Sequence, residues 1–525
     1  MDEAKSISLL FEFLHSIEWS KELSNRLQSK IAGIQFPIQS GKKTPSTTDT
    51  AKKILHAALK SVDSPYATQL NSEKNWRKKY PTYFQELVQA GIRSTQNPLL
   101  IAQHGLDAAK ALFTYNRAEQ QTTLEQAMSG IQDQPFDTYV LKGSGSSSIE
   151  PWSIPFEGKN LQGQALLDQI DRWEKQQIIE PSHAKALRLL QAHPEWFDLS
   201  TRTMVLFGAA SEAGPLSWLT KWRANIVAID LPNPKIWEKI TQTVQQGNAT
   251  LIAPELTLSN QEKQLGANLL TQTPEIANWL NTFKEPLDLA GIAYLDGEKH
   301  VRVSIAMISI MEQVSQLKPD SSIMFMLTPT DIYAIPKSVV HSIQSKIQQR
   351  PVLEKLLTKS IHNISLSNFF KPNAEQLIES DNGQQYGISD CMVIEQGPNY
   401  ALAKRLQQWF AIHTRARGQK TVINIAPSTT THSVVKNPIL KAAFAGADLF
   451  KVETFSPETT NAIMAALWVH DLNNPDSATN PEKPLAHPLE LIMENANHGG
   501  LWHVPYLART ALPFAAAYGW IREKF

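Results

Sequence analysis

Thr203-Met204-Val205-Leu206-Phe207-Gly208-Ala209-Ala210-Ser211-Glu212-Ala213-Gly214 is the stretch on which the reading of this chain turns. An unbroken apolar and β-branched run reads as a buried strand, and the small residues after Phe207 read as a turn. Gly208 permits a tight turn, and Gly214 lets a helix beginning near Pro215 approach the strand closely. Free N–H groups at such a helix start can receive a phosphate, with Ser211 and Glu212 in the intervening loop. The next apolar run, Asn225–Ile229, ends at Asp230. A carboxylate there, about twenty residues on, can accept hydrogen bonds from a ribose diol. The plainer reading makes the glycines turn and packing residues and Asp230 a solvated loop acid.

Further short apolar runs alternate with helical patterns: Thr250–Ala253, Leu289–Tyr294, Ser322–Leu327, Thr421–Ala426, and Leu449–Val452 after a helix ending at Gly446. Runs this apolar, separated by helices, are what a parallel sheet covered on both faces requires. Residues 199–475 are therefore expected to form a doubly wound α/β domain. The connection from Leu327 to Thr421 is too long for one crossover and predicts an insertion at about 335–396. Residues 1–198 read as mainly helical, from Ile7, Leu10, Phe11, Phe13, Leu14 and Ile17, from Phe84, Leu87, Val88 and Ile92, and from Leu166 to His193 with a start at Pro181. Gly143 to Ser148 reads as a flexible loop. Residues 476–525 are expected to cover the pocket.

At 525 residues the chain is too long for one ordinary core. Lysine plus arginine and aspartate plus glutamate each number 50, which removes the general electrostatic case for nucleic acid or an anionic membrane as partner. A single cysteine, Cys391, permits no disulfide framework and suits a reducing compartment. The N-terminus reads as helical rather than as a signal peptide, and Pro505, Arg509 and Pro513 break the longest apolar stretch. The expectation is a cytoplasmic protein.

Downstream, Tyr400-Ala401-Leu402-Ala403-Lys404 opens an amphipathic helix leading into Val422-Ile423-Asn424-Ile425-Ala426-Pro427-Ser428. With the glycine turn, this order of elements resembles the short-chain dehydrogenase/reductase family over about half the chain. Gly208 and Gly214 stand at the first and last of the seven glycine-motif positions, while Glu212 replaces the middle glycine. Tyr400 and Lys404 match the Tyr-x-x-x-Lys pair, and Pro427-Ser428 resembles the family's Pro-Gly turn, with Ser428 where glycine is usual. The fourth-strand turn, Asn-Asn-Ala-Gly-like in the family, is Ala293-Tyr294-Leu295-Asp296-Gly297 here. Tyr333 and Lys337 form a second such pair, spoiled by Pro336.

The resemblance implies a Rossmann-like fold, a nicotinamide dinucleotide and the interconversion of a carbonyl and an alcohol. Tyrosine, with a pKa of about 10, is a poor catalyst at neutral pH unless its phenolate is stabilised. A lysine one helical turn away can supply that positive charge. The resemblance makes Tyr400 the acid–base group and Lys404 its partner, with Thr328, Thr330 or Ser389 as the third member. It assigns Gly208, Ser211, Glu212 and Gly214 to the pyrophosphate, Asp230 to the ribose, and Pro427 and Thr429 to the nicotinamide. Asp230 argues for NAD over NADP because it would repel a 2′-phosphate. The substrate is expected to be a small or carrier-bound molecule, and relatives commonly form homo-oligomers through the Tyr-x-x-x-Lys helix.

Other polar clusters have two readings each. His300 and Arg302 contact an anion, or are a loop histidine and a salt-bridged arginine. Thr429 to His432 contact the nicotinamide, or simply cap a helix. His498-Gly499-Gly500-Leu501-Trp502-His503 offers two metal-type ligands without a nearby third, so a pocket flap is expected and no metal. Two other functions stay open: an S-adenosylmethionine-dependent methyltransferase, and a catalytically silent dinucleotide-fold scaffold.

Overall fold

The computed structural model describes residues 32–38, 44–118, 120–366 and 368–523. The helical pattern at Ile7 to Ile17 lies outside the described residues. The rest is an α/β structure around a mainly parallel eight-stranded sheet flanked by helices. Its strands are β1 (Phe136–Lys142), β2 (Thr203–Phe207), β3 (Asn225–Ile229), β4 (Thr250–Thr257), β5 (Lys263–Leu265), β6 (Asp288–Gly291), β7 (Ser322–Leu327) and β8 (Thr421–Ile425). They lie in the order β1-β4-β3-β2-β6-β7-β8, with β5 folded back on β4. The six strands from β4 to β8 run parallel, while β1 and β5 are antiparallel to β4. The chain winds outward from β2 in both directions, which opens a crevice at the carboxyl ends of β2 and β6.

Alternation along each strand explains why the runs are apolar throughout. Val205, Phe207, Val227, Ile229, Leu289, Phe325 and Ile423 enter one core, beneath the helices Trp76–Ile92, Asn97–Leu112, Glu298–Leu317 and Gly397–Ala416. Met204, Leu206, Ile226, Ala228, Ala290, Met324 and Val422 enter the other, beneath Gly163–Lys175, Pro181–Ala192, Pro234–Gln245 and Pro457–Asn473. With both faces dry, no strand position can be polar without a partner.

Two sequence expectations need correction. The run Leu449–Val452 is not a strand. Ala447–Phe450 forms a 3-10 turn ended by Lys451 in the left-handed conformation, and only the isolated bridge Thr429–Phe455 extends beyond β8. The N-terminal region is also not simply helical, because it supplies β1 and a three-stranded sheet of Gly33–Gln35, Thr114–Arg117 and Gln120–Thr123. An apolar-run criterion passes over β1, an outer strand whose Asp137, Thr138, Val140 and Lys142 are exposed.

Helix Asn97–Leu112 lies along the helix that carries Tyr400, with Gly105 against the Trp409 ring. A Cβ at Gly105 would come within 2.3 Å of that ring. The outer face of this helix is thus covered by the chain's own N-terminal region. The stretch between β7 and β8 folds into a separate antiparallel sheet (Ile332–Pro336, Ile378–Glu379, Gln385–Asp390) and the helices Lys337–Gln349 and Val352–Ile364. Among the described residues, no helix is long and apolar enough to cross a membrane.

Candidate active site

The crevice between β2 and β6 opens into a cavity of about 1050 Å³. That is at the upper end of ligand pockets, which span about 300–1,000 Å³. Gly208, Ser211, Glu212, Asp230, Thr328, Thr330, Tyr400, Lys404, Pro427 and Thr429 all line it, although they come from five separate parts of the chain's sheet and loops. Gly214 does not. It is buried behind the turn, where a Cβ would lie 3.1 Å from Ile292 Cδ1, so its role is packing.

Gly208 takes a φ of +90°, and a Cβ there would come within 2.6 Å of Ala293 Cα. Only glycine lets the β2 turn and the end of β6 meet this closely. Asp230 does not simply face the cavity. Its Oδ2 accepts the Ala210 N–H at 2.9 Å and its Oδ1 the Leu231 N–H at 2.8 Å, clasping the glycine turn. Burial raises the pKa of this carboxyl, and the two N–H donors oppose the rise. The helix expected after Pro215 is a single turn, Leu216–Leu219, because β3 follows too soon for a longer one. The phosphate site expected at a full helix N-terminus is therefore not formed, since one turn carries little macrodipole. The N–H groups of Glu212 and Ala213 nevertheless donate to no protein acceptor among the described residues. The Glu212 carboxylate reaches across to accept the His432 N–H at 2.9 Å.

At the other end of the cavity, the Thr328 hydroxyl stands close enough to the Tyr400 hydroxyl to lower its pKa. Thr328 Oγ1 lies 2.9 Å from Thr330 Oγ1, which donates to Gln396 Oε1 at 2.8 Å. The Thr328–Thr330–Gln396 hydrogen-bond chain thus begins beside Tyr400. Burial holds the Tyr400 pKa up at about 12, with Thr328 lowering it and the Asp331 charge raising it. The Tyr400 ring stacks on His300 at 5.4 Å and meets Tyr294 at 6.1 Å.

Lys404 corrects an expectation. Its Nζ donates to the Met326 carbonyl at 2.9 Å and to Gln407 Oε1 at 3.2 Å, so its charge is not directed at the Tyr400 hydroxyl. Burial lowers its pKa to about 8, partly opposed by Asp331. Between pH 8 and the ordinary lysine value of 10.5, the folded protein then binds fewer protons than the unfolded chain. Stability accordingly rises with pH across that window. Lys404→Met is expected to flatten the rise, as read by urea denaturation at both ends of the window; an unaltered slope would place the titration elsewhere.

Thr429 Oγ1 donates to the Pro427 carbonyl at 2.9 Å and lies 2.7 Å from Thr460 Oγ1, which holds the loop after β8. His300 is buried, and both its ring nitrogens lack a hydrogen-bond partner. Burial, together with the Lys404 charge, lowers its pKa well below the usual value. Arg302 takes the plainer of its two readings, donating to the Ile34 carbonyl at 2.5 Å and pairing with Glu298. Ser389, the other third-member candidate, is fully buried beside Cys391 in the inserted sheet.

Sequence reasoning missed Asp331 and Gln396. Asp331 accepts from Arg405 Nη2 at 3.2 Å and from Gln408 Nε2 at 2.8 Å, all three groups buried, and so fixes the Tyr400 helix to the end of β7. Its signal was its position directly after Thr330. Sequence reasoning also missed the third member of the His498–His503 cluster. Glu180 Oε1 lies 2.9 Å from Nε2 of each histidine, and these contacts hold its pKa down at about 2 against burial. The Gly500 N–H donates to His498 Nδ1 at 3.0 Å. The neutral ring therefore carries its proton on Nε2 and gives it to Glu180. A metal on Nε2 would require that ring to lose both protons, so the donor set fits a hydrogen-bonded latch better than a metal centre.

Fold and site together define an α/β protein with a mainly parallel eight-stranded sheet flanked by helices, an arrangement compatible with a Rossmann-like fold, and a cavity at its topological switch point. No protein-family model matches the chain, and no curated protein matches it.

Proposed function

We propose that the protein is a nicotinamide-dinucleotide-dependent oxidoreductase that interconverts a carbonyl and an alcohol. The observation that carries this reading is one cavity holding both the Gly208 turn with Asp230 and the Tyr400–Thr328 hydroxyl pair. The donor set suits such a group: Asp230 for a ribose diol, the unpaired N–H groups of Glu212 and Ala213 for phosphate oxygens, and the Pro427–Thr429 loop for the nicotinamide. The dinucleotide, when bound, supplies or accepts the hydride.

The chain's own residues manage the proton. Burial keeps Tyr400 protonated at neutral pH, so its hydroxyl can hydrogen-bond a carbonyl oxygen, and full proton transfer requires a charge on the bound cofactor or substrate to bring its pKa down from about 12. Thr328, held in place by Thr330 and through it by Gln396, sets the polar surroundings of that hydroxyl. Lys404 holds the helix register through Met326 and adds positive charge to the floor of the cavity. A cytoplasmic setting accords with the single, buried cysteine.

Thermal shift and calorimetry with NAD(H), NADP(H) and S-adenosylmethionine test the reading. Stabilisation by a nicotinamide dinucleotide is the expected result, and stabilisation by S-adenosylmethionine alone would overturn it. Asp230 keeps NAD ahead of NADP, although Lys235 and Lys239 line the same cavity. Asp230→Ala is expected to shift the NADP(H)-to-NAD(H) affinity ratio upward by roughly tenfold, or ~1.4 kcal/mol. A second reading, binding without turnover, is favoured by one observation: Asp230 and Lys404 both make their shortest hydrogen bonds to the protein's own backbone.

A further inference from the structure

The cavity is larger and less polar than hydride exchange on a small carbonyl compound requires. One wall is built by two helices from the end of the chain, Pro438–Ala445 and Ala508–Arg522, which pack against each other. Leu440, Phe444, Phe450, Val504 and Leu512 face the cavity from this wall and its adjoining turns. Apart from Lys436, in the turn before Pro438, the charged groups of the cavity (Glu212, Asp230, Lys235, Lys239 and Lys404 among them) lie on the strand-end loops and on the helices Pro234–Gln245 and Gly397–Ala416. A dinucleotide lying across Gly208, Asp230 and Pro427 has no use for an apolar wall of this extent. A polar substrate would leave it in contact with water, at a cost proportional to its area.

We infer that the substrate carries a linear alkyl or acyl chain, with its carbonyl at Tyr400 and Thr328 and its chain along the Leu440–Leu512 wall. This rests on the carbonyl-reduction reading for the placement of the head group only. The apolar wall does not change with the identity of the cofactor. Each methylene removed from water is worth about 0.8 kcal/mol, or about fourfold in affinity.

The test titrates the full chain with butan-2-one, octan-2-one and dodecan-2-one by calorimetry, in the absence and presence of NADH. Affinity is expected to rise about fourfold per methylene over the first part of the series, with a negative heat-capacity change. Affinity independent of chain length overturns the inference, whether or not NADH binds. Ala443→Phe and Ala511→Phe fill the wall from its two helices and are expected to abolish the chain-length gain. If both variants lose their fold, the series on the unaltered protein decides alone. Length-dependent binding with no response to any nicotinamide dinucleotide supports the chain site and sinks the oxidoreductase reading, so the two failures are separable.

Discussion

Tyr400→Phe is expected to lower carbonyl turnover by about 10²–10⁴-fold, the usual contribution of a positioned general acid. The ring is retained, and with it the stacking on His300 and the contact with Tyr294. What is lost is one buried hydroxyl beside Thr328, a net change of about 0.5–1.5 kcal/mol in stability. Melting temperature and dinucleotide affinity should therefore stay close to the parent while the rate collapses. Steady-state kinetics beside thermal denaturation separates the two. A variant within tenfold of the parent rate would remove Tyr400 from the chemistry and shift attention to Tyr294 and Tyr506, the other tyrosines on the cavity wall.

The largest expected effect on stability belongs to Asp331→Ala, at about 3–5 kcal/mol. Truncation leaves the Arg405 guanidinium buried with no counter-ion, retaining only the Ile332 carbonyl and the face of Phe84. Gln408 loses its acceptor in the same step. Because the penalty comes from the stranded cation, Asp331→Ala combined with Arg405→Met should recover much of it. Urea denaturation of the two single variants and the double variant measures the coupling. Additive losses would show that the pair does not hold the helix. The residual activity of Asp331→Ala reports how far the placement of Tyr400 depends on this anchor.

The apolar runs at Thr203–Phe207, Asn225–Ile229, Ser322–Leu327 and Thr421–Ile425 were legible because a strand dry on both faces has no polar positions to disguise it. Phe136–Lys142 was not, since an outer strand with one wet side resembles a loop at the level of composition. The members of the cavity were legible as types of residue in order, Gly208, Asp230, Thr328, Tyr400 and Pro427 each standing at a strand end or one helix beyond. Their hydrogen bonds were not. A lysine one turn from a tyrosine can turn to either side, and Lys404 turned to the Met326 carbonyl.

The sequence by itself determined the doubly wound sheet and the turn at Gly208, because burial on two faces and a close backbone approach each admit few residue types. Only the tertiary structure decided that Asp230 clasps Ala210, that Asp331 anchors Arg405, and that Glu180 meets His498 and His503 from far away in the chain. The reason is physical. Local preference is set by a residue and its near neighbours, whereas a buried carboxylate takes whichever donor the packing of distant segments brings within reach.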